Sequence, residues 1–377
     1  MAAPLLIAKH EQITYLSSAM TAFAQDIRFT HSADGTRLAF AVHGKGFPLV
    51  RAAHWLTNID RDWRTPVWRP WFDALGARYK FHRYDSRGCG LSDRDAADAS
   101  LDVLVADLEA VVDSAKLDRF ALLGISQGGA VSMAYAVRHP ERVSHLVLLG
   151  AFARGPLRRR PTADDLASLE AQTKLMEVGW GHENPAFRQL FTNQIFPNAT
   201  KAQVDSFNDL QRMSCTSQQA ARMFARFNDI DASEYLPRIT SPTLVLHTRG
   251  DMCAPFDEGL YIASSIPGAR LVPLETRSHV PTPGEPSFER VIEEVGAFVG
   301  SAPEEQPAFF ELTPRERQIL EHIAGGLDNA QIAAHLGLSE KTVKNHITSV
   351  FAKLGVESRA QAIVLAREAG LAETARR

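Results

Sequence analysis

Apolar positions along this chain follow two rhythms. From Asp26 to Val299, short apolar runs alternate with amphipathic stretches. Ile27–Thr30, Arg37–Val42, Pro48–Ala53, Tyr79–Tyr84, Phe120–Gly124, Val143–Leu149, Thr243–His247 and Arg270–Pro273 have the length and composition of strands, the first two around a turn at Asp34-Gly35. Leu101–Ala115, Gly128–His139 and Phe288–Val299 have helical spacing. Continuous apolar runs mark strands buried on both faces, so the alternation predicts an α/β fold with a doubly wound, mostly parallel sheet. Residues 151–237 interrupt it with a mostly helical pattern carrying Leu166, Leu169, Leu175, Met176, Phe187, Leu190, Phe191, Phe207, Leu210, Met223 and Phe224, which predicts a helical lid.

After Gly300 the rhythm changes to four short helices. Thr313-Pro314-Arg315-Glu316 is a helix start with Thr at the N-cap, Pro at the first turn and Glu closing a capping box. That helix carries Ile319, Leu320 and Ile323 and stops at Gly325-Gly326. Asp328 caps a second helix through Asn329, Ile332, Ala333 and Leu336, and Gly337-Leu338-Ser339 makes the tight turn to a third. In SEKTVKNHITSVFAKL, Ser339 to Leu354, the stripe Val343, Ile347, Val350 and Leu354 faces a core, with Phe351 at its border. Lys341, Lys344, Asn345 and Thr348 lie opposite, where donors reach phosphates and base edges. Ser358-Arg359-Ala360-Gln361 opens a fourth helix through Ile363, Val364 and Ala366.

This set of spaced residues, from Leu312-Thr313-Pro314-Arg315-Glu316 through Thr342-Val343-Lys344-Asn345-His346 to Lys353-Leu354-Gly355-Val356, resembles the LuxR-type helix-turn-helix domain over about Phe310 to Leu371. The resemblance implies an all-α four-helix DNA-binding domain over 310–373, with 329–348 as the helix-turn-helix proper. Its DNA-contacting set is then Lys341, Thr342, Lys344, Asn345, Thr348 and Lys353, and its fourth helix pairs two subunits on a near-palindromic site. The family often has Ser where Asp328 stands and an acidic residue where Gln331 stands; both departures touch capping and packing rather than the DNA face. Nine Lys plus Arg face eight Asp plus Glu from Ala308 onward, so charge alone would not identify a DNA binder. The residues by themselves also describe a small bundle that binds protein.

The larger region carries its chemistry at strand ends. Gly124-Ile125-Ser126-Gln127-Gly128 follows an apolar strand and opens a helix, the setting of a nucleophile elbow. Asp251 follows the strand 243–247, and His279 lies in a loop after the next one. A serine hydroxyl needs a base to take its proton, histidine supplies that base, and a carboxylate orients the histidine. Ser126, His279 and Asp251 are therefore the candidate nucleophile, general base and orienting acid. The span from about Ile27 to Val299 resembles the α/β-hydrolase fold, including Tyr84-Asp85-Ser86-Arg87-Gly88-Cys89-Gly90-Leu91-Ser92-Asp93 after the fourth strand. That resemblance implies an oxyanion hole from the backbone N–H groups of Gln127 and Trp55, the latter in Ala53-His54-Trp55 where many relatives have His-Gly.

Remaining features bound the reading. The 377 residues divide into an extension over 1–25, a hydrolase-like domain over 26–299, a polar linker over 300–309 and the helical domain. The extension has no assigned role: an extra helix, or a stretch ahead of a true start at Met20. Three scattered cysteines argue against a disulfide framework and for a cytoplasmic protein. No apolar run is long enough to span a bilayer, and no membrane partner is expected. Arg158-Arg159-Arg160 reads as a solvated hinge sooner than as an anion site. His54, His82, His145 and His247 read as structural histidines; no metal-ligand spacing is seen, and neither a metal nor a cofactor is expected.

Three functions fit. One is a transcription regulator, dimeric on double-stranded DNA, whose hydrolase-like domain binds, with or without turnover, a small acyl-type ligand. Another is a serine hydrolase of esterase or lactonase type whose helical domain dimerises or targets it. A third is a structural interaction protein that does neither.

Overall fold

The computed structural model describes residues 24–96, 99–300 and 312–368. Most of the N-terminal extension, the linker and the last residues of the helical domain therefore lie outside the described residues.

The large region is one eight-stranded sheet in the order β1-β2-β4-β3-β5-β6-β7-β8. Its strands are β1 Asp26–His31, β2 Arg37–His43, β3 Pro48–Arg51, β4 Lys80–Tyr84, β5 Phe120–Ile125, β6 Val143–Leu149, β7 Thr243–Thr248 and β8 Arg270–Leu274. β2 pairs antiparallel with β1 and β4; every pairing from β4 to β8 is parallel. Side chains alternate across a strand, so β5 sends Phe120 and Leu122 into one apolar layer and Ala121, Leu123 and Ile125 into the other. Both layers are covered, as a parallel sheet requires. Helices α2 (Leu101–Ser114) and α3 (Gly128–Arg138) cover the first. Helix α1 (Arg69–Gly76) covers the second through Trp71, Phe72 and Leu75. Helix α1, only 8 residues long, is too short to announce itself by periodicity in the sequence.

The lid consists of α4 (Ala163–Gly179), α5 (Ala186–Ile195), α6 (Lys201–Ser214) and α7 (Ser217–Asp229). Met176, Trp180, Phe191, Met223 and Phe227 form a core of their own that closes over Leu56, with Trp55 packed against it. Trp55 meets Trp180, Phe224 and Phe227 edge to face. Within the arginine run Arg158 and Arg160 are exposed and Arg159 is half-buried. Arg158 pairs with Asp229 at 3.0 Å, and Arg159 turns inward to the Arg154 carbonyl at 2.6 Å. Arg154 in turn grips the buried Glu258 of α8 (Phe256–Ser265) at 2.7 Å. Helix α9 (Pro286–Val299) completes the second layer with Val291, Ile292 and Val295.

The small region is the expected all-helical bundle: α10 (Pro314–Ala324), α11 (Asn329–Leu336), α12 (Glu340–Leu354) and α13 (Arg359–Glu368). Capping boxes close at Thr313–Glu316 and at Asp328–Gln331, so the Gln in place of an acid still reaches back to the N-cap. Gly337 takes φ 63° and Gly355 φ 64°, left-handed conformations that end α11 and α12 where a side chain would strain.

Candidate functional site

The loops that follow β5, β7 and β8 carry Ser126, Asp251 and His279, all at the carboxyl edge of the parallel strands, where open α/β sheets place their ligands. Ser126 holds φ 54°, a conformation costly for any residue but glycine. Its neighbours explain how the turn survives. A Cβ on Gly124 would meet the Gly129 Cα at 2.7 Å, and one on Gly128 would meet the Ala53 carbonyl at 3.0 Å. Strand, turn and helix thus pack closer than side chains would permit. The Ser126 N–H donates to the Leu149 carbonyl at 3.1 Å and pins the turn to β6.

His279 is buried and sits on Gly150, the residue after β6: a Cβ there would lie 3.2 Å from the imidazole Nδ1. The backbone N–H of His279 donates to the Ile195 carbonyl at 2.8 Å, so the last residue of α5 holds the histidine loop. Nδ1 lies 2.7 Å from Asp251 Oδ2. A carboxylate only accepts, so Nδ1 carries the proton and Nε2 is left with a lone pair. Nε2 is buried with no hydrogen-bond partner among the described residues.

Asp251 is anchored from its other oxygen, which accepts the N–H groups of Cys253 at 2.8 Å and Ala254 at 2.9 Å. Burial pushes its carboxyl up, but His279 and these amides outweigh burial and hold it below the ordinary carboxylate value. It remains charged in a dry setting, as a group that orients and steadies an imidazolium must. Cys253 belongs to the same cluster. Its Sγ, an Asp251 oxygen and a His279 nitrogen lie within 4.8 Å of one another. Its place two residues after the acid is the one local signal of this in the sequence.

The oxyanion-hole donors are placed less simply. Gln127 caps α3, where backbone N–H groups lack helical acceptors. The Trp55 N–H, the second expected donor, is engaged: it donates to Gln127 Oε1 at 2.6 Å. The four histidines set aside above are structural in their contacts or held neutral. Burial, reinforced by Arg51, lowers His54 to about 3, and its Nδ1 bonds the Trp55 carbonyl at 2.8 Å. Burial lowers His82 to about 3 and also lowers His145 and His247, whose Nε2 bonds the Ala254 carbonyl. The Tyr84–Asp93 loop is a staple: Asp85 accepts from the N–H groups of Ile59 and Leu91, and Arg87 forks onto the buried Asp107.

On α12, Val343, Ile347, Val350 and Leu354 are buried as the stripe predicts. Lys341, Lys344, Asn345 and Thr348 are exposed on the opposite side. Thr342 is half-buried and its hydroxyl meets the Ser339 cap at 2.8 Å. Lys353 is differently employed from its expected part in the DNA face: its ammonium donates to Glu316 Oε2 at 2.7 Å, and Ser349 donates to Oε1 at 2.7 Å. Burial opposes the charge on Glu316, yet Lys353, Ser349 and Thr313 together hold its carboxyl down to about 2. Lys353 thereby ties α12 to α10.

The family model described as "alpha/beta hydrolase fold" matches residues 62–282, and that of "bacterial regulatory proteins, luxR family" matches 311–366. An AB hydrolase superfamily protein, YisY, of Bacillus subtilis is 28% identical over 53% of this chain and 75% of its own length. The crystal structure of a hydrolase from Pseudomonas aeruginosa superposes with a TM-score of 0.60 at 26% identity, covering 73% of this chain and 98% of that one. An esterase from Rhodococcus sp. ECU1013 gives 0.56 at 25% identity, covering 73% and 99%.

Proposed function

This chain belongs to the α/β-hydrolase fold family and carries a LuxR-type helix-turn-helix domain after it, and from that premise we propose that it is a cytoplasmic transcription regulator whose hydrolase domain receives, and cleaves, a small acyl-type ligand. The observation that carries the catalytic half is the 2.7 Å contact between His279 Nδ1 and a charged Asp251, which leaves Nε2 bare at the sheet edge that also carries the left-handed Ser126. A pocket that only binds has no need of an oriented base.

In this mechanism Nε2 of His279 takes the Ser126 proton as Oγ attacks the acyl carbon. Asp251 steadies the imidazolium. The carbonyl oxygen, becoming negative, takes hydrogen bonds from the N–H groups of Gln127 and Trp55. The second donor becomes available when the Gln127 side chain swings off it. The imidazolium then protonates the leaving group, and water releases the acyl-enzyme by the same base. Contacts needed for this chemistry tighten on binding, so the open Nε2 suits a resting site.

The regulatory half rests on the exposed face of α12. Lys344 and Asn345 enter the major groove, Lys341 and Thr348 flank them, and α13 pairs two subunits, as the resemblance implies. The ligand acts on DNA by binding one dimer geometry better than another; only that differential affinity shifts the equilibrium. Lid closure supplies a route, because the Ile195 carbonyl of the lid holds the backbone of His279.

The test is intact-mass labelling with a fluorophosphonate. Stoichiometric labelling of the full chain, absent in Ser126→Ala, is the expected result. Absence of labelling in the wild type overturns turnover and leaves a receptor domain.

A further inference from the structure

The cluster beside the proposed base has the composition of a metal site. Asp251, Cys253 and His279 present a carboxylate oxygen, a thiol sulfur and an imidazole nitrogen within 4.8 Å of one another. We propose that these three residues bind a thiophilic divalent cation, zinc above all, and that its binding takes the histidine out of service. The consequence for turnover rests on the catalytic reading above; the metal binding does not.

Geometry allows it. Around a tetrahedral zinc, ligands at about 2.0 to 2.3 Å stand about 3.5 Å apart. The widest pair therefore needs to close by about 1 Å, while the Asp251 oxygen and His279 Nδ1, 2.7 Å apart, need to open to admit the ion, both within the reach of side-chain rotation. Charge supports it as well. A thiolate and a carboxylate balance the dication, and the imidazole is neutral when it ligates. The Sγ proton leaves to solvent as the metal–sulfur bond forms.

The donor set also selects the ion. A thiolate with an imidazole suits zinc and its soft neighbours, whereas magnesium and calcium demand oxygen ligands. Three protein ligands leave a fourth position open for water or a ligand group. Asp251 keeps its anchor on the N–H groups of Cys253 and Ala254 while its other oxygen turns from the imidazole to the metal. His279 ligates through Nδ1, the nitrogen that already faces Asp251, and the proton it gives up moves to Nε2, which has no partner in the resting site. With the metal on Nδ1, the Asp–His relay is lost. The site thus makes one cluster serve two exclusive states: an oriented base when empty, a three-ligand metal centre when filled.

Cobalt titration of the full-length chain tests the binding directly. Wild type is expected to show a thiolate-to-cobalt charge-transfer band that zinc displaces. Cys253→Ser is expected to lack it, while the remaining cysteines, Cys89 and Cys215, stay in place as internal controls. An unchanged band in Cys253→Ser, or none in wild type, overturns the proposal. Fluorophosphonate labelling then reads the consequence as a ratio within each variant, with and without zinc. At zinc tenfold above its Kd, mass action leaves about one-eleventh of the sites free, so wild-type labelling slows about tenfold and a chelator restores it. The ratio in Cys253→Ser stays near one. A cobalt band with no labelling under any condition keeps the metal site and refutes the catalytic reading; labelling with no cobalt band does the reverse.

Discussion

The two functional faces of this molecule are built in opposite ways. The strand-end site gathers Ser126, Asp251 and His279 from three loops and buries the side chains of its acid and base. The helix α12 carries its whole polar face on one uninterrupted stretch, and that face is exposed. A buried charge must be paired by tertiary structure, since desolvation would otherwise neutralise it. An exposed cation needs no partner inside the protein, because its partner arrives with the DNA. The first face therefore depends on the fold bringing three distant loops to one sheet edge, two of them joined by the Asp251–His279 hydrogen bond, and the second on little beyond a capped helix with an apolar stripe. Damage to the first should be all-or-none, and damage to the second graded.

The largest expected effect sharpens that contrast. On the proposed catalytic reading, Asp251→Asn keeps the shape of the site but removes the acceptor that fixes the His279 tautomer, and turnover falls by about 10⁴-fold. DNA affinity without ligand should stay at the wild-type value. Kinetics and a DNA titration on one preparation check both. If DNA binding collapses with turnover, the two faces are one cooperative unit and the contrast fails.

Glu316 is the exception that tests the rule within the small domain, for it is a buried charge in an otherwise simple bundle. Its folded carboxyl titrates near 2, against an ordinary value of 4.5. A depressed value means that its stabilisation is complete above about 4.5 and is lost as pH falls toward 2. Glu316→Gln should cost about 2 kcal/mol at neutral pH, the scale of hydrogen bonds to a charged group, and should flatten acid unfolding in that window. Helical CD of the domain against pH measures both. An unchanged acid profile would mean that Lys353 is free to reach DNA after all.

What the sequence made legible follows the same division. The central strands β5, β6 and β7 were readable because each is a largely apolar run buried on both faces, and the α12 stripe because helical periodicity is local. Helix α8 was not, since Gly259 breaks its pattern; that glycine is there because a Cβ would strike the His247 ring. The order of serine, acid and histidine was visible, but the nearness of Cys253 to His279 was not, because only the fold sets where two loops meet. For the same reason nothing local revealed that Gln127 occupies the Trp55 N–H, that Arg159 turns inward, or that Lys353 is held by Glu316.

Lys344→Ala comes next in size. Deleting one cation from the exposed face should weaken DNA binding about tenfold and lower the salt slope by about 1, with turnover unaffected. Binding isotherms across a salt series separate this from unfolding, which would abolish binding at every salt concentration. An unchanged slope would place Lys344 away from the phosphates.

The smallest effect probes how far the α12 face stands on its own. Ser339 accepts the Thr342 N–H at 3.1 Å and its hydroxyl meets that of Thr342 at 2.8 Å. Loss of such a cap costs about 1 kcal/mol, so Ser339→Ala should lower the stability of the small domain by that amount. The exposed side chains remain on the same helix, held by Val343, Ile347 and Val350 against the bundle. DNA affinity should therefore fall less than in Lys344→Ala, with the salt slope unchanged. A loss as large as that of Lys344→Ala would mean that the helix start itself contacts the phosphate backbone, where its free N–H groups favour an anion. The recognition face would then depend on the turn after Gly337 as well as on the residues that follow it.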